Sequence, residues 1–159
     1  MARLAALTLM RQAELRTLER DMVHLDQGLL LLPKTKTVPR AVVLGDEAVT
    51  LLKQQMWGLP ADARYVFANP GTGHPYSRVH VTRVWRTAAR AAGLRNFTFH
   101  DLRHHGATVA VNEGASDRVL MALGGWTTPK QIARYGFAAG GTLRAMANKI
   151  AGGLQATLH

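Results

Sequence analysis

Within Phe99-His100-Asp101-Leu102-Arg103-His104-His105-Gly106-Ala107-Thr108, three side chains that bind anions or exchange protons stand a helical turn apart. Thr98 suits the start of a helix, and Asp101 then falls in its first turn, where the macrodipole favours negative charge. His100, Arg103 and His104 sit at i, i+3 and i+4 and so share a face. Leu102, Val109 and Ala110 are expected to supply the apolar contacts. A fork of N–H donors beside an imidazole that titrates near neutral pH suits a phosphate. The His100–His104 spacing also fits a pair of zinc ligands. Arg103 on the same face would repel a cation, however, and Asp101 stands where a His-Glu-x-x-His metallohydrolase has its glutamate. No metal site is expected.

A phosphate-binding face calls for a polyanionic partner, and the charge agrees. Lys and Arg number 20 against 10 Asp and Glu, a formal +10 spread along folded-looking segments. Nucleic acid is the first expectation for such an excess and an anionic membrane surface the second. The 159 residues, 47% hydrophobic and 19% charged, describe a globular domain rather than a disordered chain. No apolar run reaches the length of a membrane span, and Arg11 and Glu14 interrupt the Ala/Leu-rich start. Without cysteine there are neither disulfides nor thiolate metal sites, and the expected location is the cytoplasm.

The elements that would position these groups follow from periodicity and punctuation. Leu4, Leu7, Leu15, Leu18 and Met22 recur at helical steps and predict one helix over residues 2–24. Arg11 lies on that apolar stripe and needs a partner, which Glu14 offers. Leu29–Leu32 and Ala41–Leu44 predict a β-hairpin whose tip gathers Lys34, Lys36 and Arg40; such lysines either enter a groove or keep an edge soluble. A helix follows with Asp46 as its cap and Val49, Leu52 and Met56 inward. Tyr65-Val66-Phe67 is expected as a short strand before the loop Asn69–Pro75. Ser77 caps a helix that turns Val81, Val84, Trp85 and Ala88 inward and ends at Gly93. Its other face carries Arg78, Arg83, Arg86 and Arg90. Ser116 starts a further helix with Val119, Leu120 and Leu123 inward, and Gly124-Gly125-Trp126 turns sharply. Thr127 or Thr128 then caps a short helix with Pro129 first, leading to Tyr135. Leu143, Met146, Ala147, Ile150 and Leu154 predict a final amphipathic helix over 141–158, which covers its own core or docks on another copy.

Taken in order, these pieces resemble the catalytic domain of the tyrosine recombinases, the phage-integrase type, over nearly the whole chain. The family's early arginine with an acid three residues on is matched by Thr8-Leu9-Met10-Arg11-Gln12-Ala13-Glu14. The hairpin lysine is matched by Thr35-Lys36-Thr37, and His-x-x-Arg by His100-Asp101-Leu102-Arg103. Gly124-Gly125-Trp126 and, nine residues later, Ala133-Arg134-Tyr135 complete the series. Leu9 stands where the family usually has glycine, and His105 where threonine is common.

The resemblance implies an α+β fold, mainly α-helical, with a small antiparallel sheet at one edge. It implies site-specific recombination of double-stranded DNA through a 3′-phosphotyrosyl intermediate, needing neither metal nor nucleotide cofactor. Tyr135 would be the nucleophile and His100 the base. Arg11, Arg103 and Trp126 would hold the phosphate, Lys36 would be the acid, and Glu14 would support Arg11. Lys34, Arg40, Arg78 and Arg83 are the expected further DNA contacts. Family members act as tetramers on paired DNA sites, so other copies of this chain are expected partners and a membrane is not. Residues 1–159 would form a catalytic domain truncated at its N-terminal side, without the core-binding or arm-binding domain. Two further readings are a basic DNA-binding module without catalysis, including an inactive recombinase remnant, and a type IB topoisomerase, which shares the chemistry without site choice.

Overall fold

The computed structural model describes residues 1–33 and 39–135. Along the chain run α1 (Ala2–Thr8), α2 (Gln12–Arg16), a 3-10 turn (Arg20–Met22), β1 (Val23–His24), β2 (Leu29–Leu32), β3 (Arg40–Val43), α3 (Asp46–Trp57), α4 (Arg78–Ala91), α5 (Phe99–Asn112), α6 (Asp117–Gly124) and α7 (Pro129–Ile132). This is the expected mainly helical α+β class with one small antiparallel sheet. The chain divides into two compact units after Gly106, within α5. Lys34 and Lys36, and the amphipathic helix expected over 141–158, lie outside the described residues. Among the described residues no helix is long and apolar enough to cross a membrane.

In the first unit the single helix expected over 2–24 is instead α1, α2, the 3-10 turn and β1. The break falls at Leu9, which takes a left-handed conformation (φ 53°, ψ 23°) that ends α1. The apolar periodicity survives the break because Leu4, Met10, Leu15 and Leu18 are all buried, on different segments. Leu7, expected inward, is exposed. The sheet runs β1-β2-β3 with Leu30 opposite Val42 and Leu32 opposite Arg40. Leu30, Leu32 and Val42 point into the core, while Leu31 and Val43 face outward, the period-two pattern of a one-sided sheet. β3 begins at Arg40, which the sequence had placed in the tip. Tyr65-Val66-Phe67 is not a strand: Tyr65 makes one isolated bridge to Glu19, and the Val66 N–H donates to the Leu18 carbonyl at 2.9 Å. Leu52 of α3 and Val81 of α4 close the core, whereas Val84 and Ala88 are exposed and Ala89 takes the inward place.

In the second unit Ser116 caps α6 by accepting the Val119 N–H at 3.4 Å, and Leu120 is buried while Val119 stays exposed. Gly125, in the left-handed region (φ 65°), ends α6, and the Trp126 N–H closes the turn on the Met121 carbonyl at 3.0 Å. Pro129 opens α7, as expected, and the Gln131 side chain accepts from the Thr127 and Thr128 N–H groups at 2.9 and 3.4 Å.

Candidate active site

The turn between α1 and α2 is where the first unit gathers its charged groups. Thr8 closes α1 by donating its hydroxyl to the Leu4 carbonyl at 2.6 Å. Leu9 then turns left-handed, a conformation costing a leucine roughly 1–2 kcal/mol, and burial of its side chain (4% exposed) holds it there. Arg11 follows as the N-cap residue of α2. Its N–H donates to Glu14 Oε2 at 2.7 Å and its guanidinium to Glu14 Oε1 at 3.0 Å. Arg40 donates to the other face of the same carboxylate, at 3.0 Å to Oε2. The side chains are 30% exposed for Arg11, 10% for Glu14 and 9% for Arg40. Glu14 is therefore a largely enclosed carboxylate clamped between two guanidiniums, one enclosed and one reaching solvent. Burial pushes its carboxyl up, but the Arg11 N–H and the Arg40 and Arg11 guanidiniums outweigh burial and hold it below the usual range.

Arg103 comes to the same turn from α5. It is 2% exposed and donates to the carbonyl of Leu9, two residues before Arg11. The approach of α5 to α1 depends on Gly106: a Cβ there would lie 2.2 Å from the Ala6 carbonyl oxygen and 3.3 Å from Leu9 Cδ1. Arg11, Glu14, Arg40 and Arg103 are thus drawn together around residues 9–11. The expectation of one shared face for His100, Arg103 and His104 is corrected, because Arg103 is turned into the core while His100 is exposed. His100 and His104 do pair, their rings edge to face at 4.6 Å. Asp101 accepts from both the Thr98 N–H and the Thr98 hydroxyl at 2.7 Å. The hydroxyl bond, against the opposing effect of burial, holds the Asp101 carboxyl below its ordinary value, helped by the Thr98 N–H and the two imidazoles. Leu102 packs on the core, but Val109 is exposed. Among the described residues no three His, Asp or Glu side chains gather as a metal site.

On α4, Ser77 accepts the His80 N–H at 3.1 Å, as its sequence position predicts. Arg78 and Arg83 project from this helix, exposed and without a hydrogen-bond or ion-pair partner among the described residues. Arg40, grouped with the hairpin lysines from sequence, is instead built into the buried cluster around Glu14, because its strand position turns it toward α2.

In the second unit, Trp126 lies against Gly124, where a Cβ would fall 2.1 Å from the indole Cζ3. The chain continues past α7 in a 3-10 turn over 133–135, which carries Tyr135. The Tyr135 ring packs on Trp126 with centroids 5.5 Å apart and is 4% exposed. The sequence did not single out the Leu9 carbonyl, Gly106 or the Arg40–Glu14 pair. The one available signal was Leu9 in a glycine position of the motif.

In the first unit Arg103 of α5 reaches the turn that carries Arg11, and α5 also bears the His100–His104 pair; in the second unit Tyr135 packs on Trp126. The family model for the phage integrase family matches residues 1–139. An integrase of Salmonella phage P22 is 34% identical over 104 residues, covering 59% of this chain and 26% of that protein. An integrase of Saccharopolyspora erythraea is 35% identical over 74 residues, covering 46% and 17%. The chain thus spans about a quarter or less of these relatives. Among solved structures, the XerA recombinase superposes with a TM-score of 0.78 at 23% identity, covering 92% of this chain and 55% of that one. A lambda integrase dimer bound to a COC′ core site gives 0.66 at 24% identity, covering 84% and 50%. With the family model running from the first residue through the Tyr135 turn, over the same motifs that build the turn at residues 9–11, this chain belongs to the phage integrase family.

Proposed function

We propose that this chain is the strand-transfer part of a site-specific DNA recombinase. The observation that carries the reading is the convergence of Arg11 and Arg103 on the turn at residues 9–11, with Glu14 fixing the first and the Leu9 carbonyl the second. In this reading the two guanidiniums serve the non-bridging oxygens of a phosphodiester, where negative charge grows in the transition state. In this reading the Tyr135 oxygen attacks phosphorus and the bond to the 5′ oxygen breaks, leaving a 3′-phosphotyrosyl link. His100 takes the phenol proton, because a group with a pKa of about 10 is a weak nucleophile unaided. Lys36 gives a proton to the departing 5′ oxygen, and Trp126 donates its indole N–H to the phosphate. A 5′ hydroxyl of the partner strand reverses the steps, so bond energy is conserved and no nucleotide is consumed. Lys34, Arg78 and Arg83 contact double-stranded DNA, while Arg40 acts through Glu14. The working unit is a set of copies on paired DNA sites, in the cytoplasm.

The test is incubation with a nicked duplex carrying the candidate attachment site, from which the cleaved strand diffuses away. A denaturation-resistant protein–DNA adduct is the expected product, lost in Tyr135→Phe. Arg11→Ala or Arg103→Ala should slow its formation on the order of 10²–10³-fold. Burial of Tyr135 favours one second reading, a module that binds DNA without cutting it. Duplex binding with steep salt dependence and no adduct would establish that reading instead.

A further inference from the structure

Between the C-terminal half of α4 and the loop that leads into α5 lies a bowl of about 790 Å³. Its floor is aromatic. Trp85 meets Phe99 edge-on at 5.7 Å and Phe97 at 6.1 Å. The Trp85 indole N–H donates to the Phe97 carbonyl at 3.0 Å, which ties the loop to the helix. Gly93 (φ 75°) and Asn96 (φ 55°) bend that loop back, so its shape is set by the backbone. The rim is basic. Arg86, Arg90 and Arg95 line the bowl, all exposed, and none has a hydrogen-bond or ion-pair partner among the described residues. No acidic side chain lines it, and the carboxylate of nearby Asp101 is held on Thr98.

We propose that this bowl binds a nucleotide, its base against the aromatic floor and its phosphates on the arginine rim. An aromatic platform beside a track of guanidiniums is the physical pattern of single-strand binding, where bases stack on rings and cations follow the backbone. Arg86 and Arg90 stand at i, i+4, neighbours on one helix face, spaced to meet adjacent phosphates. An acidic peptide would use the rim and leave the rings idle. The volume is that of a small-ligand site. This extends the reading of the chain as a strand-transfer protein, since cutting one strand exposes unpaired nucleotides. Its test needs no cleavage.

Fluorescence anisotropy of a labelled eight-residue oligodeoxyadenylate, read on the full chain, measures the interaction. An abasic oligomer of equal length, dAMP, hexaglutamate and an unlabelled duplex serve as comparators. The oligodeoxyadenylate should bind at least about fivefold tighter than the abasic oligomer, the lower end of what one stacked base contributes. Arg90→Glu with Arg95→Glu should weaken it tenfold or more. The same charge change at exposed Lys53 and Arg118 should weaken it less than threefold. Competition by dAMP at comparable concentration identifies a free nucleotide as the source, and its failure identifies a strand. Equal affinity for the abasic oligomer, equal loss in the control pair, or competition by hexaglutamate or duplex as good as by the oligomer itself overturns the proposal. Because no bond is cut, the result is independent of whether Tyr135 forms an adduct.

Discussion

Adding a single methyl group at Gly106 separates two opposing effects whose sizes are known. Gly106 sits inside α5, where alanine would favour the helix by about 0.8–1 kcal/mol. Its new Cβ, however, would lie 2.2 Å from the Ala6 carbonyl oxygen and 3.3 Å from the Ala6 carbonyl carbon. Both are backbone atoms, so no side-chain rotation relieves the clash; α1 and α5 must separate by about 1 Å to restore van der Waals contact. Overpacking of this kind costs about 1–3 kcal/mol, and rigid backbone on both sides places it at the upper end. The same separation pulls Arg103 away from the Leu9 carbonyl, and a bond from a charged donor contributes about 1.5–3 kcal/mol. The steric and hydrogen-bond losses exceed the helical gain, for a net destabilisation of about 3.5–5 kcal/mol.

For a chain of this length that is a fall in Tm of roughly 7–20 °C. The control is Gly58→Ala, at the end of α3, where nothing lies within 4 Å of the added Cβ. It should change Tm by less than about 2 °C, as surface substitutions away from special features do. If the phosphate site is where we place it, Gly106→Ala should also slow adduct formation by on the order of 10²-fold at a temperature where the variant is still folded, because an ångström of misplacement is that costly. A Gly106→Ala protein as stable as the parent would refute the close approach, and with it the placement of Arg103 against the turn at residue 9.

The Glu14 cluster predicts a pH dependence with a definite sign. Its carboxyl titrates lower in the folded chain than its ordinary value of 4.5, so it contributes stability above that pH and loses it as pH falls through the lower folded value. Glu14→Gln removes the negative charge that Arg11 and Arg40 share and should cost about 3 kcal/mol at pH 7. In urea titrations the gap between parent and variant should narrow on the acid side of 4.5, and a gap that widened there would contradict the assignment. Leu9→Gly sets two effects against each other: relief of a left-handed leucine, about 1–2 kcal/mol, and loss of a buried leucine side chain, about 3 kcal/mol or more. The variant should therefore be less stable by about 1–2 kcal/mol, and a raised urea midpoint would show that strain outweighs packing at this turn.

What the sequence made legible was local. Ser77 and Ser116 announce helix starts because a side-chain oxygen meets an N–H three residues on, and both do so. Gly93 and Gly125 mark helix ends by adopting positive φ. Leu29–Leu32 is a strand as read. The failures are equally physical. Residues 2–24 carry an unbroken apolar rhythm and no Gly or Pro, so apart from Leu9 standing in a glycine position of the motif nothing marks the break; Leu9 is buried there and its carbonyl meets Arg103, which is 94 residues away in sequence. Tyr65–Phe67 has strand-like residues, but its partner is the segment around Leu18 and Glu19, not a strand, and pairing stops after one bridge. β1 is two residues long, too short for any alternation to register.

The arginines show most clearly why the site was only half legible. In sequence they are interchangeable bearers of a +10 charge. In the fold they separate into two kinds according to what lies opposite. Arg16 donates to the Tyr76 carbonyl at 2.6 Å, Arg20 to Pro60 at 3.0 Å, and Arg64 and Arg40 to Glu19 and Glu14 at 3.0 Å. These partners are remote in the chain, so each pairing braces two segments; Arg40 is enclosed while Arg64 stays in solvent. Arg78, Arg83, Arg86, Arg90 and Arg95 meet no such acceptor among the described residues and stay in solvent, on α4 and the loop after it. Those five, on one helix and the loop after it, are available to an external polyanion, and the division follows from tertiary partners rather than from spacing. Arg11 belongs to both kinds at once: one edge is tied to Glu14 while nearly a third of its side chain reaches solvent. The fold thus fixes Arg11 on one edge and leaves the other accessible to an incoming anion.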